Sequence, residues 1–125
     1  MKFARNVFFV AGAWGMAVLT PLFFLVDLAG TRYAPPLNHP HFFYGFLAVA
    51  LVWQFAFLLI GSAPVRYRPF MPLAVLEKAG FVVVAVVLHA QGQITAAEAA
   101  AAIPDAVLGV CFVAAFVKTR GASAT

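Results

Sequence analysis

The sequence predicts an all-α fold, an antiparallel up-down bundle of four transmembrane helices with both termini cytoplasmic. Three observations predict it. Hydrophobic residues make up 65% of the 125 and charged residues only 10%, against about 25% charged in ordinary soluble domains. Four apolar stretches of roughly the 20 residues needed to cross a 30 Å hydrocarbon core follow one another along the chain. Most of the basic residues stand at the ends of those stretches. A chain of this length forms one domain. It has too much surface for an exterior this apolar to face water, whereas lipid makes no such demand.

The first predicted span covers about residues 6–27 and contains "NVFFVAGAWGMAVLTPLFFLV", which carries no charge. It follows Lys2 and Arg5, as the core of a signal peptide would. Its apolar run is longer than such a core, and no A-x-A-like site closes it, so it reads as an anchored span. The second, about 42–62, holds "FFYGFLAVALVWQFAFLLIGS" and ends before Pro64. "PVRYRPFMP" then makes a short proline-bounded loop. The third, about 72–91, opens on Pro72, a residue suited to a first helical turn. The fourth, about 96–118, follows Thr95, which has the capping-box spacing to Glu98. A second reading starts the fourth helix at Pro104, with "TAAEAAAA" as a separate interfacial helix and Asp105 an acid favoured in the first turn. The sequence leaves both open.

Charge sets the predicted orientation. The N-terminus, the Arg66/Arg68 loop, Lys78 and the C-terminus place seven of the eight Lys and Arg residues on one side, with only Arg32 opposite. The positive-inside rule puts that side in the cytoplasm, of a bacterial inner membrane on this reading. A net charge of +4 spread over helix ends gives no basic face for nucleic acid. The single cysteine, Cys111, excludes an intrachain disulfide and a C-x-x-C redox motif. Small residues at helix-contact spacing (Ala11 and Gly15, Ala13 and Ala17, Gly45 and Ala48, Gly80 near Ala79) fit close approach of backbones.

Polar residues inside the spans are the candidate site, because an ionised group at the bilayer centre costs ~2.5–3.5 kcal/mol or more unless it is partnered. At a rise of about 1.5 Å per residue, Gln54, Glu77 and Lys78 fall roughly 8–11 Å from the cytoplasmic end and form one predicted layer. His89 and Asp105 fall at roughly 21–26 Å, near Thr20 and Tyr44, and form a second. In that outer layer Pro104 frees carbonyls and Asp105 would hold one tautomer of His89. No metal or cofactor is predicted. The three histidines His39, His41 and His89 are the residues a haem or zinc would use, zinc with a further ligand such as Asp27.

The strings "HFFYGFLAVALVWQFAFLLI", "PVRYRPFMPLAVLEKAGFVVVAVVL" and "LGVCFVAAFVKTR" resemble small four-span inner-membrane proteins of bacteria. In plan the chain is also similar to DoxX-like and EXPERA-type bundles, the latter binding or isomerising sterols through acidic residues in the membrane. The resemblance implies location and architecture, and no functional residue is carried over from it. Small multidrug exporters share the length, but their membrane glutamate lies in the first span, where this chain has no acid before Asp27.

Three functions follow as expectations. The first is a non-enzymatic accessory or interaction subunit of a membrane assembly, in contact with lipids, a larger complex or further copies of itself. The second is a binding protein or isomerase for a lipid, sterol or isoprenoid-like molecule. The third is a small proton-coupled transporter. The topology is tested by fusing reporters after Thr125. A fluorescent protein that matures only in the cytoplasm is expected to be bright, and a phosphatase active only outside it to be silent; the reverse pattern overturns the orientation.

Overall fold

The computed structural model describes residues 2–24 and 40–121, and the described residues form helices and turns with no strand. The helices are α1 (Lys2–Leu22), α2 (Pro40–Ser62), α3 (Met71–Ala90), the four-residue α4 (Ala96–Ala99) and α5 (Ile103–Lys118). Two 3-10 turns complete the order, Arg68–Phe70 before α3 and Ala100–Ala102 between α4 and α5. Four helical segments, Lys2–Leu22, His41–Ser62, Arg68–Ala90 and Ala96–Lys118, are long and apolar enough to cross a membrane.

Only 17–28% of each segment's most apolar stretch is buried inside the protein. Val10, Val49, Val52, Leu76, Val86 and Val110 are each at least 60% exposed. Apolar surface on that scale is foreign to a soluble monomer and natural against lipid.

The first helix begins at Lys2, not near residue 6, because basic residues are excluded from hydrocarbon and not from a helix. Ala4 and Phe8 are fully buried in this first part, and the Lys118 ammonium lies 4.2 Å from the ring centre of Phe3. Pro72 sits in the first turn of α3, where its missing N–H costs nothing. Gly92 ends α3 with φ near 75°, a conformation that favours glycine. There Gly92 N–H donates to His89 O at 3.0 Å and Gln93 N–H to Leu88 O at 2.9 Å, a Schellman closure.

The beginning of the fourth segment combines both sequence readings. Thr95 and Glu98 form the capping box, each accepting from the other's backbone N–H at 3.1 and 3.0 Å. The turn it starts soon tightens to 3-10 form, and α5 then begins with Pro104 and Asp105 in its first turn.

The helices pair unequally. α1 lies along α2, α3 lies along α5, and α1 also meets α5, whereas α2 and α3 touch at few points although they are neighbours in sequence. The α1–α2 contact is glycine-made. A Cβ on Gly12 would come within 2.7 Å of the Leu58 side chain and 3.0 Å of the Gln54 carbonyl, and one on Gly61 within 2.8 Å of the Phe9 ring. Of the spacings expected from sequence, Ala11 and Gly15 are buried, Gly15 against Gln54 of α2; Ala13, Ala17, Gly45, Ala48, Ala79 and Gly80 are exposed.

The α3–α5 pair is tied at one end by Arg68. Its Nη2 and Nε donate to Phe116 O at 2.9 and 3.2 Å, and Nε also to Thr119 Oγ1 at 3.1 Å. These bonds satisfy a carbonyl left free at the end of α5 and place a cation at that helix C-terminus. Between these ends lies an aromatic core. Phe8 and Phe112 stack at 4.4 Å between centres, and Phe57 meets Phe112 edge-on at 5.0 Å.

Gly12→Val should push α1 off α2 and lower stability by about 1–3 kcal/mol, the usual cost of overpacking. Gly45→Ala, which meets nothing within 4 Å, should not. Thermal unfolding of both variants in one detergent checks the pair, and equal stability would refute the close-contact role of Gly12.

Candidate functional site

Lys78 lies in the second turn of α3 and is buried. A buried ammonium needs acceptors, and three groups surround it. Its Nζ donates to Asp105 Oδ1 at 3.1 Å and stands 3.7 Å from Glu77 Oε2. It also lies 5.1 Å from the ring centre of Phe57, within cation–π range. A methyl placed on Gly109 would sit 3.4 Å from Lys78 Cβ. The lysine chain therefore runs along α5 from Gly109 to Asp105, one helical turn earlier in that helix. Phe57 belongs to the aromatic core, so the cation rests on packed rings.

Gln54 of α2 is 2% exposed, and its Nε2 donates to Ala50 O, one turn back, at 2.7 Å. That bond assigns the amide, since a carbonyl accepts only from the NH₂ side. Gln54 Oε1 is thus fixed as an acceptor, and no donor among the described residues reaches it. Glycine at position 15 makes the room, because any Cβ there would collide with the Gln54 amide. Glu77 Oε2 is likewise buried without a hydrogen bond. The unmet Gln54 acceptor costs about 1–3 kcal/mol in desolvation, whereas Glu77 Oε2 keeps its ion pair with Lys78 at 3.7 Å.

These polar groups form the floor of a cavity of about 250 Å³ shared by α1, α2, α3 and α5. Its walls rise from the floor by one-turn steps along each helix: from Gly15 to Val18, Leu19 and Leu22; from Gln54 to Ala50 and Phe46; from Lys78 to Phe81; from Asp105 to Ala101. Every wall residue in that series is apolar. Trp14 and Pro104 complete the lining. Phe46, Ala50 and Glu77 also line a groove on the α2–α3 side, together with His41, Phe42 and Trp53. The weak contact between α2 and α3 leaves this groove as a lateral seam beside the cavity.

The two predicted layers are regrouped. Gln54, Glu77 and Lys78 share the cavity as expected, but Asp105 joins them instead of pairing with His89. His89 is exposed, with Nδ1 3.2 Å from Ile94 O. Tyr44 packs near Phe23 with ring centres 6.0 Å apart, and Thr20 is exposed. Neither of these, nor His89, lines the cavity. Depth counted residue by residue treats side chains as points on upright helices, whereas a lysine spans more than one turn and crosses the gap. Asp105 both opens α5 and lines the cavity.

His39 and Asp27 lie outside the described residues. Among those described, no three His, Cys, Asp or Glu side chains gather where a metal ion would sit. Gly15, Phe57 and Gly109, like the apolar wall residues, are site residues that sequence reasoning did not single out for it. The available signal was charge: Lys78 and Asp105 are opposite charges set inside apolar runs, and each needs the other. Neither a family model, nor a curated protein, nor a solved structure matches the chain, so the functional reading rests on this geometry.

Asp105→Leu takes the hydrogen-bonded acceptor from a buried cation, leaving it Glu77 at 3.7 Å, and should cost about 3 kcal/mol. Lys78→Met added to it should restore part of the loss, since an apolar pair of similar volume replaces a buried ion pair at little cost while Glu77 loses its cation. Unfolding of the two single variants and the double variant measures the coupling. Additive losses would show that the pair does not hold α3 to α5.

Proposed function

We propose that this chain is a multi-pass membrane protein that binds a lipophilic small molecule, of lipid, sterol or isoprenoid-like kind, in the cavity among its four long helices. The observation that carries the reading is the division of that cavity into apolar walls and a polar floor of Gln54, Glu77, Lys78 and Asp105. Small-molecule sites have this form, a mostly apolar enclosure with a few convergent polar groups that fix orientation. A purely structural bundle gains nothing from such a space, because its lining forgoes packing contacts. A role as an interaction subunit would need no cavity either.

In this reading the bundle is antiparallel, lies in a bacterial inner membrane and keeps both termini in the cytoplasm. Support comes from the cations gathered at one end, where Lys118 reaches Phe3 and Arg68 binds the end of α5. The cavity walls then rise from the floor away from that basic end. The seam between α2 and α3 offers a route from the bilayer that bypasses water.

An alkyl photoprobe carrying a diazirine tests the binding site. Saturable labelling is expected on peptides holding Trp14–Leu22 and Phe46–Gln54. Ala50→Phe, which fills the space, should remove it with stability retained. Val10→Phe, on an exposed position outside the cavity, should leave it intact. Unsaturable labelling spread along the outer faces would remove the proposal.

A further inference from the structure

The polar floor has more acceptors than donors. Two carboxylates offer about eight lone-pair sites and the Gln54 carbonyl two more, against three protons on the Lys78 ammonium and the one Gln54 N–H not given to Ala50 O. The formal charges sum to −1 across Glu77, Lys78 and Asp105. The imbalance shows in the atoms: Gln54 Oε1 and Glu77 Oε2 are both buried, and neither receives a hydrogen bond. Gln54 Nε2 gives one of its two N–H groups to Ala50 O in its own helix, and the one that remains does not make up the shortage.

From this we infer that the cavity selects amphiphiles whose head group donates hydrogen bonds, an alcohol or a primary amine, and rejects those whose head only accepts. The inference rests on the binding proposal above and adds the head-group chemistry. A carboxylate or phosphate head would meet two like charges and two unmet acceptors. A hydroxyl or ammonium meets the partners the floor lacks, and an ammonium also cancels the surplus charge. Both oxygens are buried, so in this proposal the head reaches them as the Gln54 amide and the Glu77 carboxylate swing at their flexible ends. Glycine at position 15 gives the Gln54 amide the space it occupies against α1. The apolar walls take the rest of the molecule, with Trp14, Leu22 and Phe81 along its length.

Competition against the same photoprobe reads the preference directly. Four unlabelled competitors share one saturated chain and differ only in the head: alcohol, primary amine, methyl ether and carboxylate. The alcohol and the amine should displace the probe at roughly tenfold lower concentration than the other two, the factor worth one well-made hydrogen bond. Gln54→Leu and Glu77→Leu, made separately, should each shrink that preference while probe labelling continues. Two variants keep the test alive if one fails to fold. Equal displacement by all four heads would overturn the donor rule and leave the binding reading standing. A donor preference unchanged in both variants would also overturn it. Absence of saturable labelling in the parent protein would instead bring down the binding reading itself.

Discussion

A single ammonium governs the arrangement of this protein. Lys78 stands in a helix apolar enough to cross a bilayer, where an unpartnered charge costs ~2.5–3.5 kcal/mol even on the mildest scale. Its partners are therefore obligatory, and their positions fix much else. Asp105 brings the first turn of α5 to α3, and Gly109 lets the lysine stem lie against that helix. Phe57 of α2 supplies the ring beneath, so the cation draws on three helices at once. Drawn towards α5, α3 leaves α2, and the seam between them is the geometric consequence. The cavity and its lateral opening follow from where one charge found its counter-charges.

The basic end of the bundle is organised by the same kind of demand. Arg68 answers the free carbonyl of Phe116, stacks 3.8 Å over that residue's ring and binds Thr119. Thr119 is itself fully buried and reaches Ala115 O at 2.8 Å. Among the described residues, the buried side-chain nitrogens and oxygens at that end all have hydrogen-bond partners, in contrast to Gln54 Oε1 and Glu77 Oε2 beside the cavity.

The four long helices were legible because length and apolar composition are signals carried along the chain, and prolines, glycines and the Thr95–Glu98 box punctuate them locally. Pro72 was readable as a first-turn residue for the same local reason, and Pro104 as one in only one of two open readings. Packing was not legible. Whether Gly12 or Gly45 meets a partner depends on how each helix is rotated, and the two residues look alike in sequence. Phe8, Phe57 and Phe112 form the core, yet among fourteen phenylalanines nothing local distinguishes them. The site was half legible. Gln54, Glu77 and Lys78 were found from their depth, while Asp105 was assigned to His89 because depth alone ignores the reach of a lysine. Gly15 matters only through the Gln54 amide it accommodates, a relation between two helices that no single stretch records.

Buried ion pairs are a poor way to hold helices together, since an apolar substitute of equal volume does as well or better. Gly15 and Gly109 compound the cost, because each gives up packing to make room for a polar chain. A bundle selected for stability alone would fill this space with leucine. The arrangement is economical only if the polar floor meets something, and Glu77 indicates how that something arrives. It lines both the α2–α3 groove and the cavity. A head group sliding in from the bilayer through the seam would meet this carboxylate first and remain beside it as it reaches Gln54. On that path a hydrogen-bond donor is never left bare in hydrocarbon, the step that would otherwise dominate the barrier to a polar head.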